Sequence, residues 1–550
     1  MPDEKESRRR VSRREFVKGA AAGAAGAVAV GALASCSPAT TPVPTTAPEP
    51  VATCPPAEEC PPCPTPEAAA PGKYAFEVAP DPIPESDIKE RVTADVVVLG
   101  GGPAGMVAAV SAAEAGAKTI MLEKYEESTA PGGGGSAINT RDQIERGITT
   151  DVEALLEDLL MASEGRADPK LLRKWADNSG PVMDWLVDIA NAEGVAVSQM
   201  MGPYGYSFGA IDFVTGVCPD FYRMMTNRGL SLGFEARYST QAVQLVRPNN
   251  EGRVTGAIAR NADGSYSQFD ANKAVIICTG DYGSNPEMME KYAPWAAHSL
   301  PSLYFTRTNT GDGLQMALWV GALINEPPHC AMIHFNSTNA EPPVAGRPLG
   351  MGEGASGYLN VNKRGERFAN EGMPFEYLAL AVVRQPDQTQ WQVFDAKSVS
   401  EDVEAAVAAA VETGEVLTAD TIEALAPKFG ADPATFKATV DRYNELVRMG
   451  QDPDYGKSPE LLGVTIDTAP FYVCESPPDL LVCMGGPVVN TGAQVLDTNF
   501  EVIPGLYAAG NVAGGFWGDS YPMGVFSGIA RGVATVFGRI AGLNAAAETT

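Results

Sequence analysis

The sequence predicts an α/β fold built on a parallel sheet, and two observations carry this prediction. Residues 94–99 (ADVVVL) form a short β-branched run typical of a buried parallel strand, and GGGPAG at 100–105 follows it directly. Residues 106–115 then read as a helix and 118–122 as a second strand, which is the order of a Rossmann-like unit. Two later runs, 273–280 and 505–511, have the composition of further buried strands, and 527–543 has that of a helix.

The glycines of the turn have distinct physical roles. Gly100 permits the tight turn, Gly102 lets the backbone approach a pyrophosphate, and Gly105 allows the helix to pack close to the strand. Glu123 closes the second strand about 20 residues further on, where a carboxylate can accept hydrogen bonds from an adenosine ribose. NAD and FAD both fit this unit, so the turn alone does not choose between them.

The composition excludes nucleic-acid binding and fits a large globular core. The 550 residues include 40 Lys and Arg against 68 Asp and Glu, a formal net charge of −28. A nucleic-acid binder would present a basic face to the phosphates, which this balance does not supply. With 45% apolar and 20% charged residues, the chain is also neither collagen, nor a coiled coil, nor wholly disordered.

The first 36 residues resemble a twin-arginine export signal. Residues 12–18 (SRREFVK) precede an uncharged Ala-, Gly- and Val-rich run at 19–35, an address read by a translocase. A transmembrane helix is the alternative, but a weakly apolar run of this length lies at the lower limit for spanning. LASC at 33–36 resembles a lipobox that would lipidate Cys36, and plain cleavage beside an incidental Cys is the other interpretation.

Residues 37–90 predict a Pro-rich linker without a core of its own. Signal and linker together predict a periplasmic or extracytoplasmic protein that touches a membrane only through its signal or lipid anchor. Because the twin-arginine route carries folded proteins, the signal also favours a prosthetic group inserted before export.

The nine cysteines indicate neither a metal site nor a haem site. CPPC at 60–63 is followed by Pro64, so the His required for c-type haem attachment is absent. The cysteines of the body lack the paired spacing of an iron–sulfur cluster or zinc ribbon. Cys54, Cys60 and Cys63 are predicted to form disulfides within the linker or to another chain. A separate electron-transfer partner is therefore expected.

Residues 92–545 resemble the fumarate reductase and succinate dehydrogenase flavoprotein family, which includes soluble flavocytochromes and 3-ketosteroid dehydrogenases. The matching landmarks occur in order: Gly and Ser at 132–136, GSNPEM at 283–288, GDG at 311–313, RGERFANE at 364–371, PFY at 470–472, MGG at 484–486 and QVLD at 494–497. The resemblance implies FAD, and an α+β capping domain (326–479) inserted between two parts of the FAD-binding domain (91–325 and 480–545). No His lies between Glu123 and Thr140, where membrane-bound members link FAD covalently, so noncovalent FAD is expected.

The glycine turn and the resemblance together predict the residues that contact FAD. They lie in the turn, at the ends of the strands and at the start of the last helix: Gly100, Gly102, Pro103, Ala104, Gly105, Glu123, Lys124, Gly134, Gly135, Ser136, Ala242, Thr279, Gly280, Asp312, Gly510, Asn511 and Ser527. Asp312 is also predicted to be the N-cap of a helix at 314–320.

The catalytic positions depart from the fumarate pattern. Phe375 stands where the family has its proton-donating Arg, Val482 replaces a substrate-binding His, and Tyr521 falls near the clamp Arg. A dicarboxylate bound there would be buried without its counter-charges, so fumarate and succinate are rejected as natural substrates. With Phe516 and Trp517, these residues predict an aromatic pocket for a neutral or monoanionic conjugated carbonyl compound.

The resemblance supplies the catalytic hypothesis. YPMG at 521–524 partly matches the Tyr-Pro-Gly segment of 3-ketosteroid dehydrogenases, so Tyr521 would polarise the substrate carbonyl while flavin N5 exchanges a hydride with the β-carbon. Tyr377, Glu376 and Arg384 are the candidate proton donors or acceptors for the α-carbon. Tyr521 as a packing aromatic is the alternative.

Among the remaining histidines and arginines, only His334 is predicted to contact the substrate. His334 lies near the family's substrate-facing His, and a buried structural His is the alternative. His329 carries no functional signal. Arg364 and Arg367 are predicted to hold the geometry of the capping domain.

Two functions of different classes remain at this point. The first is an exported FAD-dependent oxidoreductase that reduces enoates or enones, or desaturates a ketosteroid. Its electrons would be exchanged with a cytochrome, a quinone-linked protein or a small redox carrier. The second is a noncatalytic electron-transfer flavoprotein whose site has decayed.

Overall fold

A largely parallel sheet and its crossing helices make up most of the described structure. The computed structural model describes residues 74–128, 134–201, 209–212, 219–299, 302–303, 309–335, 358–399, 401, 404–522, 524–526 and 528–549. All of these belong to one compact unit, residues 70–550. The predicted signal, most of the predicted linker, the cysteines at 36, 54, 60, 63 and 218, and Ser527 lie outside the described residues.

Eighteen strands are described. They are β1 Ile88–Leu99, β2 Thr119–Leu122, β3 Gly134–Ser136, β4 Ser198–Met201, β5 Gly209–Asp212, β6 Glu235–Arg237, β7 Thr240–Val246, β8 Gly256–Asn261, β9 Tyr266–Ile277, β10 Ser302–Leu303, β11 Cys330–His334, β12 Leu359–Val361, β13 Trp391–Asp395, β14 Val416–Ala419, β15 Phe471–Glu475, β16 Asp479–Met484, β17 Gln494–Leu496 and β18 Val502–Ala508.

Thirteen α-helices are described. They are α1 Pro103–Glu114, α2 Arg141–Glu145, α3 Val152–Ala162, α4 Pro169–Ala192, α5 Pro219–Ser231, α6 Pro286–Tyr292, α7 Pro294–Ser299, α8 Asp312–Trp319, α9 Phe375–Val382, α10 Glu404–Thr413, α11 Ile422–Leu425, α12 Pro433–Met449 and α13 Ile529–Ala547.

The largest sheet confirms the predicted α/β class. Its order is β17-β18-β9-β1-β2-β6, and β8 and β7 extend it from β9. The strands β18, β9, β1, β2 and β6 run parallel to one another, with Val98 opposite Met121 and Ile276, whereas β17 and β8 pair antiparallel to β18 and β9. The helices α1 and α13 pack on this sheet and on each other, and the end of β1, residues 96–99, is wholly buried. The parallel strands therefore direct their carboxyl ends to one edge, where ligands of such sheets bind.

A second region has its own sheet and its own apolar core. The strands β12, β13, β15 and β14 form an antiparallel sheet, on which Leu359, Val393, Phe436 and Tyr443 are buried together. This sheet and the helices α10 to α12 are called the second lobe below. The predicted boundaries of the capping domain, 326 and 479, stay predictions.

The folded body begins earlier than the predicted end of the linker at residue 90. A 3₁₀ turn at Ala75–Glu77 buries Phe76, and β1 already begins at Ile88. The Phe76 carbonyl accepts a hydrogen bond from Trp319 at 2.8 Å, and Glu77 pairs with Lys291. The Pro-rich composition of this stretch gave no sign that Phe76 would be buried against the folded body.

Candidate active site

The glycine turn between β1 and α1 has the predicted shape. Gly100 adopts φ +99°, and a Cβ placed on Gly105 would lie 1.9 Å from the Gly100 carbonyl oxygen. A Cβ placed on Gly102, the N-cap of α1, would meet no atom within 4 Å. The space ahead of the helix N-terminus is therefore open, and it fits the pyrophosphate of a dinucleotide. Pro103 opens α1, and Ala104 is buried behind it.

Glu123 lies beside this turn, at the end of β2. Its carboxylate accepts hydrogen bonds from the backbone N–H groups of Gly101 at 2.7 Å and Tyr125 at 3.0 Å. Glu123 is 8% exposed. A carboxylate can accept about four hydrogen bonds, so capacity for a ribose hydroxyl remains.

Lys124 and Asp312 are brought together from distant parts of the chain. Their side chains form a half-buried ion pair at 3.2 Å, and Asp312 also accepts from Gln241 at 3.0 Å and from Thr310 at 2.6 Å. The predicted N-cap role of Asp312 is wrong. The helix begins at Asp312 itself and its N-cap is Gly311, because this carboxylate is engaged by other side chains. Ala242 is buried next to Gln241.

The ends of β9 and β18 supply the next group of predicted residues. The Thr279 hydroxyl accepts from the Gly313 N–H at 3.1 Å, and Gly280 and Gly510 adopt positive φ angles of 76° and 85°. The Asn511 carbonyl accepts from the Gly485 N–H at 3.0 Å. The MGG segment at 484–486 therefore lies against this edge of the sheet.

Strand β3 joins the last helix to the same region. The Ser136 N–H donates to the Gly528 carbonyl at 3.1 Å, and a Cβ on Gly135 would lie 3.6 Å from the Arg531 side chain. Gly134 begins this strand. The structure thus brings β3 to the start of α13. Helix α13 also packs on α1, where a Cβ on Gly538 would lie 2.6 Å from the Ala104 carbonyl oxygen.

Tyr521 is positioned by a loop clamped at two glycines. A Cβ on Gly518 would lie 2.7 Å from the Ser163 carbonyl oxygen, and one on Gly524 would lie 2.5 Å from the Pro374 ring. Between them, Tyr521 is 1% exposed and its hydroxyl accepts a hydrogen bond from the Ala530 N–H at 3.2 Å. Ala530 lies in the first turn of α13, so the phenol oxygen sits at a helix N-terminus.

A buried carboxylate and an aromatic ring lie near Tyr521. Glu376 is buried in the first turn of α9, and the Trp517 ring centroid lies 5.9 Å from that of Tyr521. Burial raises the pKa of Tyr521 above its usual range, and the Glu376 charge raises it further, so the phenol stays protonated near neutral pH. Burial and the Glu376 and Asp519 charges also raise the pKa of the Cys330 thiol.

Tyr377 lies at the outer side of this group and is 41% exposed. Burial, followed by the charges of Glu376, Glu164 and Asp519, raises its pKa. The predicted apolar positions Phe516 and Val482 are both buried, and the Asp519 carbonyl accepts from the Ala331 N–H at 3.1 Å. The loop that carries Tyr521 therefore extends the β16-β11 pair.

Of the predicted catalytic residues, Arg384 is not brought to Tyr521, and the side chain of His334 is not described. Arg384 is exposed and follows the C-terminal end of α9, the opposite end from Glu376. At a rise of 1.5 Å per residue, the two are about 12 Å apart along the helix. The backbone of His334 ends β11 opposite Asp479, and its side chain is outside the described residues.

Arg367 lies in a buried network of charges. It bonds Glu371 at 2.8 Å and Asp452 at 2.7 Å, and Lys457 pairs with Glu371 at 3.2 Å. Burial raises the pKa of Asp452, but hydrogen bonds from the Arg367 side chain and from the backbone N–H groups of Lys457 and Tyr455 together outweigh burial and lower that pKa to about 2. This geometry supports the predicted structural role of Arg367. Arg364 lies in the same turn region, where its N–H donates to Asn362 at 2.9 Å.

Sequence reasoning missed two buried groups near the carboxyl edge of the sheet. Asp281 follows Gly280, and burial raises the pKa of its carboxyl to about 6 despite hydrogen bonds from Gly283 and Asn309. His329 is wholly buried, and burial lowers its pKa to about 4. Each has one partner close in sequence, Gly283 for Asp281 and Asn325 for His329, but the burial that shifts their pKa values is set by the tertiary fold and leaves no sequence signal.

Neither a membrane span nor a metal cluster is found in the described ranges. No helix among those residues combines the length and apolar content needed to cross a membrane. The same residues contain no group of three or more His, Cys, Asp or Glu side chains arranged to hold a metal ion.

Comparison with known proteins identifies a family and several relatives that this chain resembles. Residues 95–524 match the model of the FAD binding domain family. The chain is 31% identical over 470 residues to a probable fumarate reductase, Ifc3, of Shewanella frigidimarina, covering 82% of this chain and 75% of that protein. It is also 31% identical over 504 residues to the vinyl phenol reductase of Lactiplantibacillus plantarum, covering 83% of this chain and 97% of that protein.

A solved structure agrees with these relatives. The open conformation of a flavocytochrome c3 fumarate reductase superposes with a TM-score of 0.68 at 28% identity, covering 88% of this chain and 84% of that one. FAD, for which the open space at Gly102 provides room, is therefore the cofactor. The chain belongs to the FAD-binding family of the fumarate reductase and succinate dehydrogenase flavoproteins, as an FAD-dependent oxidoreductase acting on CH–CH groups.

Proposed function

We propose that this protein reduces the C=C bond of a carbonyl-conjugated organic substrate that is not a dicarboxylate. The observation that carries the proposal is the buried Tyr521 hydroxyl at the N-terminus of α13. Its oxygen accepts from Ala530, so its own proton is available for a substrate carbonyl. The relative named vinyl phenol reductase supports a substrate without two carboxylates.

The chemistry divides between the cofactor and the chain. Bound FAD supplies hydride transfer, for which noncovalent binding through the glycine turn is proposed. The substrate gains a hydride at the β-carbon and a proton at the α-carbon, a two-electron reduction. Tyr521 donates a hydrogen bond to the carbonyl oxygen, where negative charge develops, and the N-terminus of α13 stabilises the same charge.

The proton for the α-carbon is assigned to the start of α9. Glu376 is buried within electrostatic reach of Tyr521, and Tyr377 is exposed enough to exchange protons with water. Tyr377 can donate its phenol proton directly, whereas Glu376 must first take up a proton before it can serve as the donor. Arg384 is the weaker candidate because it lies exposed beyond the far end of the helix.

The environment of the reaction is also proposed. The twin-arginine-like segment at 12–35 supports export to the periplasm or another extracytoplasmic space, with attachment through Cys36 as an option. Two electrons per turnover would then come from a cytochrome, a quinone-linked protein or a small redox carrier. Finding the full chain in the cytoplasmic fraction alone would contradict export.

The function is tested by anaerobic reoxidation of the dye-reduced, FAD-loaded protein with enones, enoates, ketosteroids and fumarate. We expect reoxidation by a compound with at most one carboxylate and little by fumarate. Silence with every compound would favour the noncatalytic alternative, and preference for fumarate would overturn the substrate assignment.

The role of Tyr521 is tested with Tyr521→Phe against the best substrate of that panel. Removal of one donor to developing negative charge is expected to lower kcat by about 10²- to 10³-fold with little change in the flavin spectrum. Tyr472→Phe in β15 of the second lobe is the matched control. Unchanged turnover in Tyr521→Phe would leave Tyr521 as a packing aromatic.

A further inference from the structure

His329 makes two hydrogen bonds that orient its ring. Its Nε2 lies 2.9 Å from the Asn325 carbonyl oxygen, and its Nδ1 lies 2.9 Å from the Tyr282 hydroxyl. A carbonyl only accepts, so Nε2 carries a proton. Burial lowers the pKa of the ring to about 4, so near neutral pH Nδ1 has no proton and accepts from Tyr282. The ring also stacks on Tyr292, with centroids 4.5 Å apart and planes inclined by 10°. The imidazole is therefore a neutral, oriented group without rotational freedom.

The ring lies directly against the MGG segment. A Cβ on Gly485 would come within 2.5 Å of His329 Nδ1, so only glycine allows this approach. The next residue, Gly486, exchanges hydrogen bonds with Asn325: its N–H donates to the Asn325 side chain at 2.8 Å, and its carbonyl accepts from the Asn325 N–H at 3.0 Å. His329 and Asn325 thus hold both glycines from one side.

The other side of the glycine pair faces predicted FAD-binding backbone. Gly485 donates to the Asn511 carbonyl at 3.0 Å. A Cβ on Gly486 would lie 2.0 Å from the Val512 carbonyl oxygen. The glycine pair is therefore a thin layer between the imidazole and the segment 510–512, with no side chain to absorb a displacement of the ring.

We infer that His329 is a positioning residue for FAD, acting through the Gly485–Gly486 backbone on Asn511. It touches neither substrate nor cofactor in this role. A neutral ring that accepts from Tyr282 and donates to Asn325 holds the glycine pair in one arrangement. Loss of that arrangement would loosen the edge of the sheet where the flavin binds.

The test is equilibrium binding of FAD to the full chain, followed by flavin absorbance and fluorescence. His329→Leu removes both hydrogen bonds, and we expect the FAD dissociation constant to rise at least tenfold, with a shift of the visible absorbance maximum. His329→Gln can restore one donor and one acceptor, so it should recover part of the affinity.

Two further variants separate positioning from general destabilisation. Tyr282→Phe removes the hydrogen bond to Nδ1, together with the contact of the same hydroxyl with the Cys483 thiol, and should weaken FAD binding by a smaller factor than His329→Leu. Tyr443→Phe is the matched control, because Tyr443 is equally buried and its hydroxyl bonds the Leu462 carbonyl in the second lobe. Unchanged FAD affinity and spectra in Tyr282→Phe, or equal effects of the two Tyr→Phe changes, would overturn the inference even if His329→Leu does not fold.

Discussion

The turn between β1 and α1 is held by backbone contacts that leave no room for a side chain, whereas the segment leading into α9 is held by buried charges. At the turn, Gly105 touches Gly100 with no intervening atom. Before α9, Arg367 binds two carboxylates, one of them 85 residues away along the chain. The first arrangement depends on the size of residues near in sequence, and the second depends on pairing between distant ones.

Substitutions in the two regions are expected to change different properties of the protein. A side chain added at the turn displaces the helix that binds the cofactor, so its effect is on FAD. A charge removed from the network leaves its partners buried without compensation, so its effect is on folding. The two regions should therefore respond in different measurements.

Arg367→Met is expected to have the largest effect. It leaves the buried carboxylates of Glu371 and Asp452 without their shared guanidinium, and removal of one partner of a buried pair costs about 3–5 kcal/mol. Urea denaturation of the FAD-loaded protein measures this loss. Arg442→Met is the control, since Arg442 also bonds two carboxylates, Asp454 and Glu445, but is exposed. Because an exposed ion pair is screened by solvent, the urea midpoint of Arg442→Met should stay close to that of the parent protein.

Gly105→Ala is expected to have the next largest effect, and comparison with Gly102→Ala separates its effect on stability from its effect on FAD binding. The Gly105 methyl group would sit 1.9 Å from a carbonyl oxygen, so α1 must shift, and we expect about a 100-fold loss of FAD affinity, near 3 kcal/mol, together with lower stability. The Gly102 methyl group meets no protein atom, so this variant should keep its stability and lose FAD affinity alone. Equal urea midpoints for the two variants would contradict the contrast.

These cases also show what the sequence could predict. The turn and the parallel strands could be predicted, because glycine spacing and apolar runs are local signals. Tyr521 came from the family resemblance instead, and its catalytic role stays a prediction. The contact of Arg367 with Asp452 and that of His329 with Gly485 could not be predicted, because each pair meets only through tertiary folding. Asp312 was misassigned as an N-cap for the same reason: its partner Lys124 lies on another strand end.

The segment after β9 is held both by close backbone packing and by a buried charge. A substitution there should have the smallest effect on stability. Burial raises the pKa of Asp281 to about 6, so the ionised carboxyl destabilises the fold at pH 7 and is relieved as pH falls toward 4. Burial lowers the pKa of His329 to about 4, so its neutral form stabilises the fold above pH 6.5, and this is lost as pH falls. Each contribution is about 3 kcal/mol, and the two have opposite signs.

Asp281→Asn separates these contributions. It removes the cost of a buried charge, and after about 1 kcal/mol is deducted for a weakened hydrogen bond we expect a gain of about 2 kcal/mol at pH 7. Between pH 6.5 and 4 the variant should then lose about 3 kcal/mol relative to the parent protein, because protonation of His329 is no longer offset. Urea midpoints measured across this range with saturating FAD check the difference. Parallel curves for the two proteins would show that Asp281 is not charged in the fold at pH 7, and that the carboxyl edge of the sheet is governed by shape alone.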